Sequence, residues 1–167
     1  MPVDAAMLKS LIAQALPRVS DARILANIRE LLVEPAPILR DWDYGEKGEQ
    51  FVCWTVLEHP ASNTGIAYCE SGFGPRCPWG LVFLTGDYIS IGQDSGWFEN
   101  FLDAYFESYA STDLAIWRVF ETGADGVRRP ITTEGEWDAT WEQVSALRKQ
   151  NPQLRYDCGT NLDDRDR

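Results

Sequence analysis

The sequence predicts an α+β fold: an N-terminal helical hairpin, a mostly antiparallel β-sheet of about five to six strands, and two further helices packed on it. Three observations carry this expectation. Residues 4–32 place apolar side chains at helical spacing, broken at Pro17 and stopped by Pro35 and Pro37. Residues 51–91 hold short β-branched and aromatic runs separated by brief turn sequences, connections too short for parallel crossovers. Two more stretches at helical spacing follow, over 95–109 and from Thr133 to before Pro152.

The elements follow in order. Asp4 caps a helix over 4–16 whose Met7, Leu8, Leu11, Ile12, Ala15 and Leu16 share one face. Ser20 is positioned to cap a second helix, where Ile24, Leu25, Ile28, Leu31 and Leu32 form the stripe. Residues 51–57 read as a strand, 58–65 as a turn and 66–69 as the returning strand. The Gly- and Pro-rich stretch 71–78 is a loop. Strands are expected over 79–84 and 88–91, then a helix from Ser95 through about Tyr109. Residues 115–121 form a strand that turns at 123–126 and pairs back over 127–131. Thr133 and Glu136 match a capping box for a last helix in which Trp137, Trp141 and Val144 face one way.

A chain of 167 residues is expected to form one domain over 1–158, with 159–167 as a polar, disordered tail. Hydrophobic content of 44% with 25% charged residues suits a water-soluble globular chain. No run of eighteen apolar residues spans a membrane. Met1 to Asp4 carry no basic segment leading into an apolar run, so no secretory signal is expected and the compartment is cytoplasmic. Cys53, Cys69, Cys77 and Cys158 form no CxxC pair, and their spacing fits no zinc template. They are read as reduced, buried thiols.

Charge is spread unevenly. Residues 41–110 hold eleven acidic side chains against Lys47 and Arg76, giving most of the net charge of −11. Such a field attracts basic partners and repels nucleic acid and anionic membranes. On the helix expected over 95–109, Glu99, Asp103 and Glu107 fall at i, i+4 and i+8 with no basic residue among them. Like charges so spaced cost about 0.2–0.5 kcal/mol per pair in an isolated helix, so the stripe is either a solvated face or a contact surface. Asp87 and Asp94 extend the acidic candidates, and Trp97 and Tyr109 at the helix edges are candidate apolar anchors.

Other constellations are weaker. His59, the lone histidine, sits in a turn before Pro60, where a structural role is favoured over a Cys–His pairing with Cys53, Cys69 or Cys77. No G-x-S-x-G elbow marks a serine nucleophile. Glu58 and Glu70 are a candidate carboxylate pair, though they follow strands that place them at opposite ends of a hairpin. Asp41-Trp42-Asp43-Tyr44-Gly45 opens like a cation loop but lacks the later ligands. No phosphate-binding glycine motif and no basic patch interleaved with aromatics occurs, so no metal, cofactor or nucleic acid is expected. In the loop over 70–80, Phe73 and Trp79 either line a binding rim or pin the loop to the core.

The expected function is therefore a small acidic protein-binding module engaging a basic protein partner. Bacterial immunity and antitoxin-like proteins share its size and charge, an analogy without a shared motif. The alternatives are a hydrolase using His59 with a nearby Cys, or Glu58 with Glu70, and a structural or assembly subunit whose exposed aromatics bury in a homodimer. The balance lies against an enzyme.

Overall fold

Asp4 opens the first helix as expected, its carboxylate accepting the Met7 N–H at 2.8 Å. Helix α1 spans Ala5–Ala15 and buries Leu8 and Ile12. Leu16–Arg18 forms a single 3-10 turn around Pro17. Helix α2, Ala22–Leu31, is capped by Asp21 and not by Ser20, the carboxylate accepting the Arg23 N–H at 2.9 Å. Ile24 and Ile28 are its buried positions.

The structure is a computed structural model that describes residues 3–86, 89–92, 96–114, 117–132 and 136–160. The chain divides into two compact units, Met1–Asp113 and Leu114–Arg167, each described by itself. The fold is α+β, but among the described residues the strands form two sheets in place of one.

The first unit holds strands β1 (Leu32–Asp41), β2 (Gln50–His59), β3 (Thr64–Tyr68), β4 (Trp79–Phe83) and β5 (Trp97–Phe98), paired in that order and antiparallel throughout. Helix α2 ends before Pro35 and Pro37 as expected, and the chain continues through them as strand β1, which the sequence does not predict. An edge strand has one side without a partner, so prolines lacking an N–H are tolerated there. The register shifts between Leu32 and Ala36, where Pro35 sits. The strand expected over 88–91 reduces, among its described residues, to a single parallel bridge between Ile91 and Trp42.

Register places Trp54, Tyr68, Trp79 and Phe98 in one row across β2 to β5. On this face Trp79 meets Phe101 at 5.4 Å. Phe101 opens helix α3 (Phe101–Phe106), whose fully buried Tyr105 donates to Asn27 of α2 at 2.7 Å. The opposite face carries Cys53, Ala67, Cys69 and Val82, covered by Ile91, Trp42, Phe51 and Trp97.

The helix expected over 95–109 is a larger correction. Trp97 and Phe98 pair with Gly80 and Trp79 as β5, Asn100 caps α3, and a separate turn of helix, α4, covers Tyr109–Thr112. Aromatic residues suit strands as well as buried helix faces, so their spacing alone did not separate the two.

In the second unit, β6 (Trp117–Thr122) lies between β7 (Arg128–Pro130) and β8 (Arg155–Thr160). The turn at 123–126 forms as expected, the Gly126 N–H donating to the Gly123 carbonyl at 3.0 Å. Helix α5 (Trp137–Gln150) has Glu136 at its N-cap, where a capping box would have put it three residues inside; Thr133 lies outside the described residues. Val144 packs on Val119 and Tyr156. Strand β8 runs to Thr160, two residues beyond the expected end of ordered structure at 158.

Candidate functional site

The acidic stripe does not exist as a helical face. Glu99 precedes the cap of α3, and Glu107 is its C-terminal cap residue. Asp103 is the third residue of α3 and is engaged locally: its N–H donates to Asn100 Oδ1 at 3.1 Å, and its carboxylate accepts from Asn100 Nδ2. This reciprocal arrangement satisfies two donors at a helix start. Asp87 and Asp94 lie outside the described residues. Tyr109 opens α4 and is 60% exposed.

Trp79 is a core residue, 4% exposed between Tyr68 and Phe101. Phe73 is instead 41% exposed and stacks on the half-buried Trp97 at 5.5 Å. A Cβ on Gly80 would meet the Trp97 ring at 2.5–2.7 Å, so a glycine there seats this stack.

The partners of Phe73 were missed in the sequence. Trp42 is the hub, with Phe73 and Tyr44 each edge-on at 5.2 Å and Phe51 at 5.8 Å. Gly72, at φ +76°, lets the loop lie against the Trp42 ring. Residues 41–49 are tied down by Trp42 N–H to Glu49 O at 2.9 Å, Asp43 N–H to Ile91 O at 3.0 Å and Ile91 N–H to Asp41 O at 2.8 Å. Asp41 accepts from Gln50 at 2.7 Å, Asp43 from Ser90 at 3.1 Å, and Glu49 from the Glu46 N–H at 3.0 Å. The donors in these three hydrogen bonds are neutral. The alternation Asp41-Trp42-Asp43-Tyr44 was the available signal.

His59 ends β2. Its Nδ1 shares a 2.7 Å hydrogen bond with Ser62 Oγ, and its Nε2 lies 3.3 Å from Asp113 Oδ2. Ser62 Oγ also bonds Thr64 Oγ1 at 2.7 Å. With the ring proton on Nε2, Asp113 accepts it and Nδ1 accepts from Ser62, whose hydroxyl in turn accepts from Thr64. Cys53 does not pair with His59: it lies six residues along the same strand, about 20 Å away at strand rise. Glu58 opposes Gly65, whereas Glu70 follows the other end of β3, where it accepts from the Tyr68 hydroxyl at 3.2 Å. The two carboxylates are therefore no pair.

The interior holds a second cluster. Since Trp54 pairs with Tyr68, Cys53 and Cys69 oppose each other, 0% and 1% exposed, with their thiols within hydrogen-bonding reach. The contact with Cys53 holds the Cys69 thiol below its ordinary range, helped by the Ser71 N–H against the effects of burial and Glu70. Cys53 is pushed up, by that same contact and by burial.

Arg40, 1% exposed, interacts with Cys53 from the neighbouring strand. Its Nη1 donates to the Phe83 carbonyl at 2.8 Å. A flat sheet would hold β1 and β4 roughly 14 Å apart, beyond an arginine's reach, so the sheet curls around this residue. Arg40 Nε and Nη2 and Thr55 Oγ1 are buried without a hydrogen-bond partner among the described residues. Burial lowers the Arg40 pKa from far above neutrality, and the guanidinium stays charged.

Among the described residues no three His, Cys, Asp or Glu side chains group to hold a metal ion, and no helix is long and apolar enough to cross a membrane. Comparison with family models, curated proteins and solved structures found no match.

Proposed function

We propose that this chain is a cytosolic binding module that engages a basic protein partner through the loop over 41–49 together with Phe73. One observation carries the reading: exposed Tyr44 and Phe73 stand edge-on to Trp42 in a loop presenting Asp41, Asp43, Glu46 and Glu49. Rigid aromatics give contact area at low entropic cost, and surrounding negative charge steers a basic partner. The tied-down loop fixes both before binding, which lowers the ordering cost. The immunity- or antitoxin-like role remains the analogy of size and charge that favours such a partner.

The test uses four baits in lysate at low salt: wild type, Tyr44→Ala/Phe73→Ala, Glu46→Lys/Glu49→Lys, and Glu99→Lys/Glu107→Lys. A basic protein held by wild type should be lost from the second and third and kept by the fourth. With the partner purified, the aromatic double variant should bind at least about 30-fold more weakly, as expected for one hot-spot residue. Loss confined to the fourth bait, or retention by all, refutes this face.

The geometry at His59 favours a second reading, a hydrolase with Ser62 as nucleophile, His59 as base and Asp113 as its orienting group. A fluorophosphonate probe should then label Ser62 in wild type and fail to label His59→Ala. No labelling of the folded wild type leaves the cluster as a turn lock.

A further inference from the structure

We propose that Cys53 and Cys69 form a hydroperoxide-reactive dithiol that closes to a disulfide across β2 and β3, with buried Arg40 as its counter-charge. The inference is independent of the binding surface. It rests on three features found together.

First, Cys69 follows β3 by one residue, at the position that continues the Trp54–Tyr68 register to Cys53 of β2, and the two thiols are in contact. Opposed residues in such a pair have Cα atoms about 4.5–5.5 Å apart, within the range a disulfide spans, so closure needs little backbone movement. Second, Arg40 is a fully buried cation with two N–H groups unsatisfied among the described residues, interacting with Cys53. An isolated buried charge is costly, and a thiolate is the anion that this site itself can supply. Third, Cys69 lines a cavity of about 440 Å³ whose walls include Phe51, Val52, Trp54 and Tyr68 together with Gln50 and Glu70. That cavity offers a small reagent a route to a sulfur that the surface hides. Phe51, Trp54 and Tyr68 suit the organic group of a hydroperoxide, and Gln50 and Glu70 offer polar groups to its O–O end.

The chemistry balances without a cofactor. The Cys69 thiolate attacks one peroxide oxygen, the O–O bond breaks, and the other oxygen leaves as an alcohol after taking a proton from solvent. Cys69 is now a sulfenic acid. The Cys53 thiol attacks that sulfur; the S–O bond breaks, and water leaves with the Cys53 proton as the S–S bond forms. Two thiols have given two electrons, and the hydroperoxide has become an alcohol and water. Arg40, beside Cys53, favours thiolate character on Cys53 as it attacks the sulfenic sulfur, and acts as a positioning residue.

The experiment treats fully reduced wild-type protein with a slight excess of cumene hydroperoxide, alkylates the remaining thiols and maps the peptides by mass spectrometry. The expected product links the Cys53 and Cys69 peptides, two hydrogens lighter than the reduced pair, while Cys77 and Cys158 are recovered alkylated. In Cys53→Ser, dimedone should trap a sulfenic acid on Cys69, at least about tenfold faster than on Cys158. Arg40→Met should slow the wild-type reaction about tenfold, and Arg40→Lys, which keeps the charge, should restore part of it. Should Arg40→Met fail to fold, the wild-type mapping and the Cys53→Ser trapping still decide. Disulfides formed at other positions, or oxidation of all four thiols at the rate seen in urea, would overturn the proposal.

Discussion

Gly65→Ala is expected to lower stability by about 3 kcal/mol, at the upper end of the usual cost of overpacking. Gly65 is buried in β3 between Glu58 of β2 and Val82 of β4. A Cβ there would sit 2.5 Å from the Leu57 carbonyl oxygen and 2.8 Å from Leu84 Cδ2. The first obstacle is backbone, brought close where the β2 register shifts between Thr55 and Leu57. Strand β3 is central and cannot move away without breaking both ladders. Gly80→Ala is the informative contrast, because its obstacle is the Trp97 side chain, which can swing. Urea unfolding should show a much lower midpoint for Gly65→Ala at unchanged slope, with a smaller loss for Gly80→Ala. Equal losses would mean that the Leu57 carbonyl moves as easily as the indole.

The second large effect is alkaline unfolding. Burial, reinforced by the Glu70 carboxylate, pushes Tyr68 up to about 12. Burial pushes the fully enclosed Tyr105 further in the same direction. In the unfolded chain both phenols titrate near about pH 10. The folded state therefore binds these protons more tightly, and its advantage is complete below about pH 10 and lost as pH rises towards 12 and beyond. Cys53, also pushed up, adds a loss of the same sign above the ordinary thiol range. Denaturant midpoints across this range should fall steeply. Tyr105→Phe should flatten the fall while costing about 1 kcal/mol at neutral pH through the lost bond to Asn27. A midpoint independent of alkaline pH would mean that these phenols reach solvent.

How much was legible depends on whether a local signal had a rival. Asp4 followed by Leu8 and Ile12 admits only a helix, and α1 formed where it was expected. Ser20 and Asp21 are both capping residues one position apart, and only the formed bond separates them. Pro35 and Pro37 ruled out a helix but not an edge strand, which is a tertiary fact. The aromatic run near Trp97 satisfies helical spacing and strand propensity together, and pairing with Gly80 decided it. Strand β8 offered only Tyr156 and Cys158 as inward residues, too short an alternation to stand out. The candidate sites were less legible still. His59 and Asp113 are far apart in sequence, and Cys53 meets Cys69 only once a register is chosen. The sequence leaves Phe73 open between a binding rim and a pin to the core; it is 41% exposed against Trp97 and Trp42, and Trp42 stands in a stretch that reads only as a failed cation loop.

The two prolines of β1 bear on how this molecule avoids its own kind. An edge strand normally offers a row of free N–H and C=O groups that recruits a strand from another chain, the first step towards fibres. Here the outer strand on one side carries Pro35 and Pro37, with a register break beside them, and the outer strand on the other is two residues long. Among the described residues, neither edge of this sheet presents an uninterrupted template. The protein can thus hold exposed Ile38, Leu39 and Val52 near its rim without inviting cross-β growth, and recognition at this sheet falls to side chains.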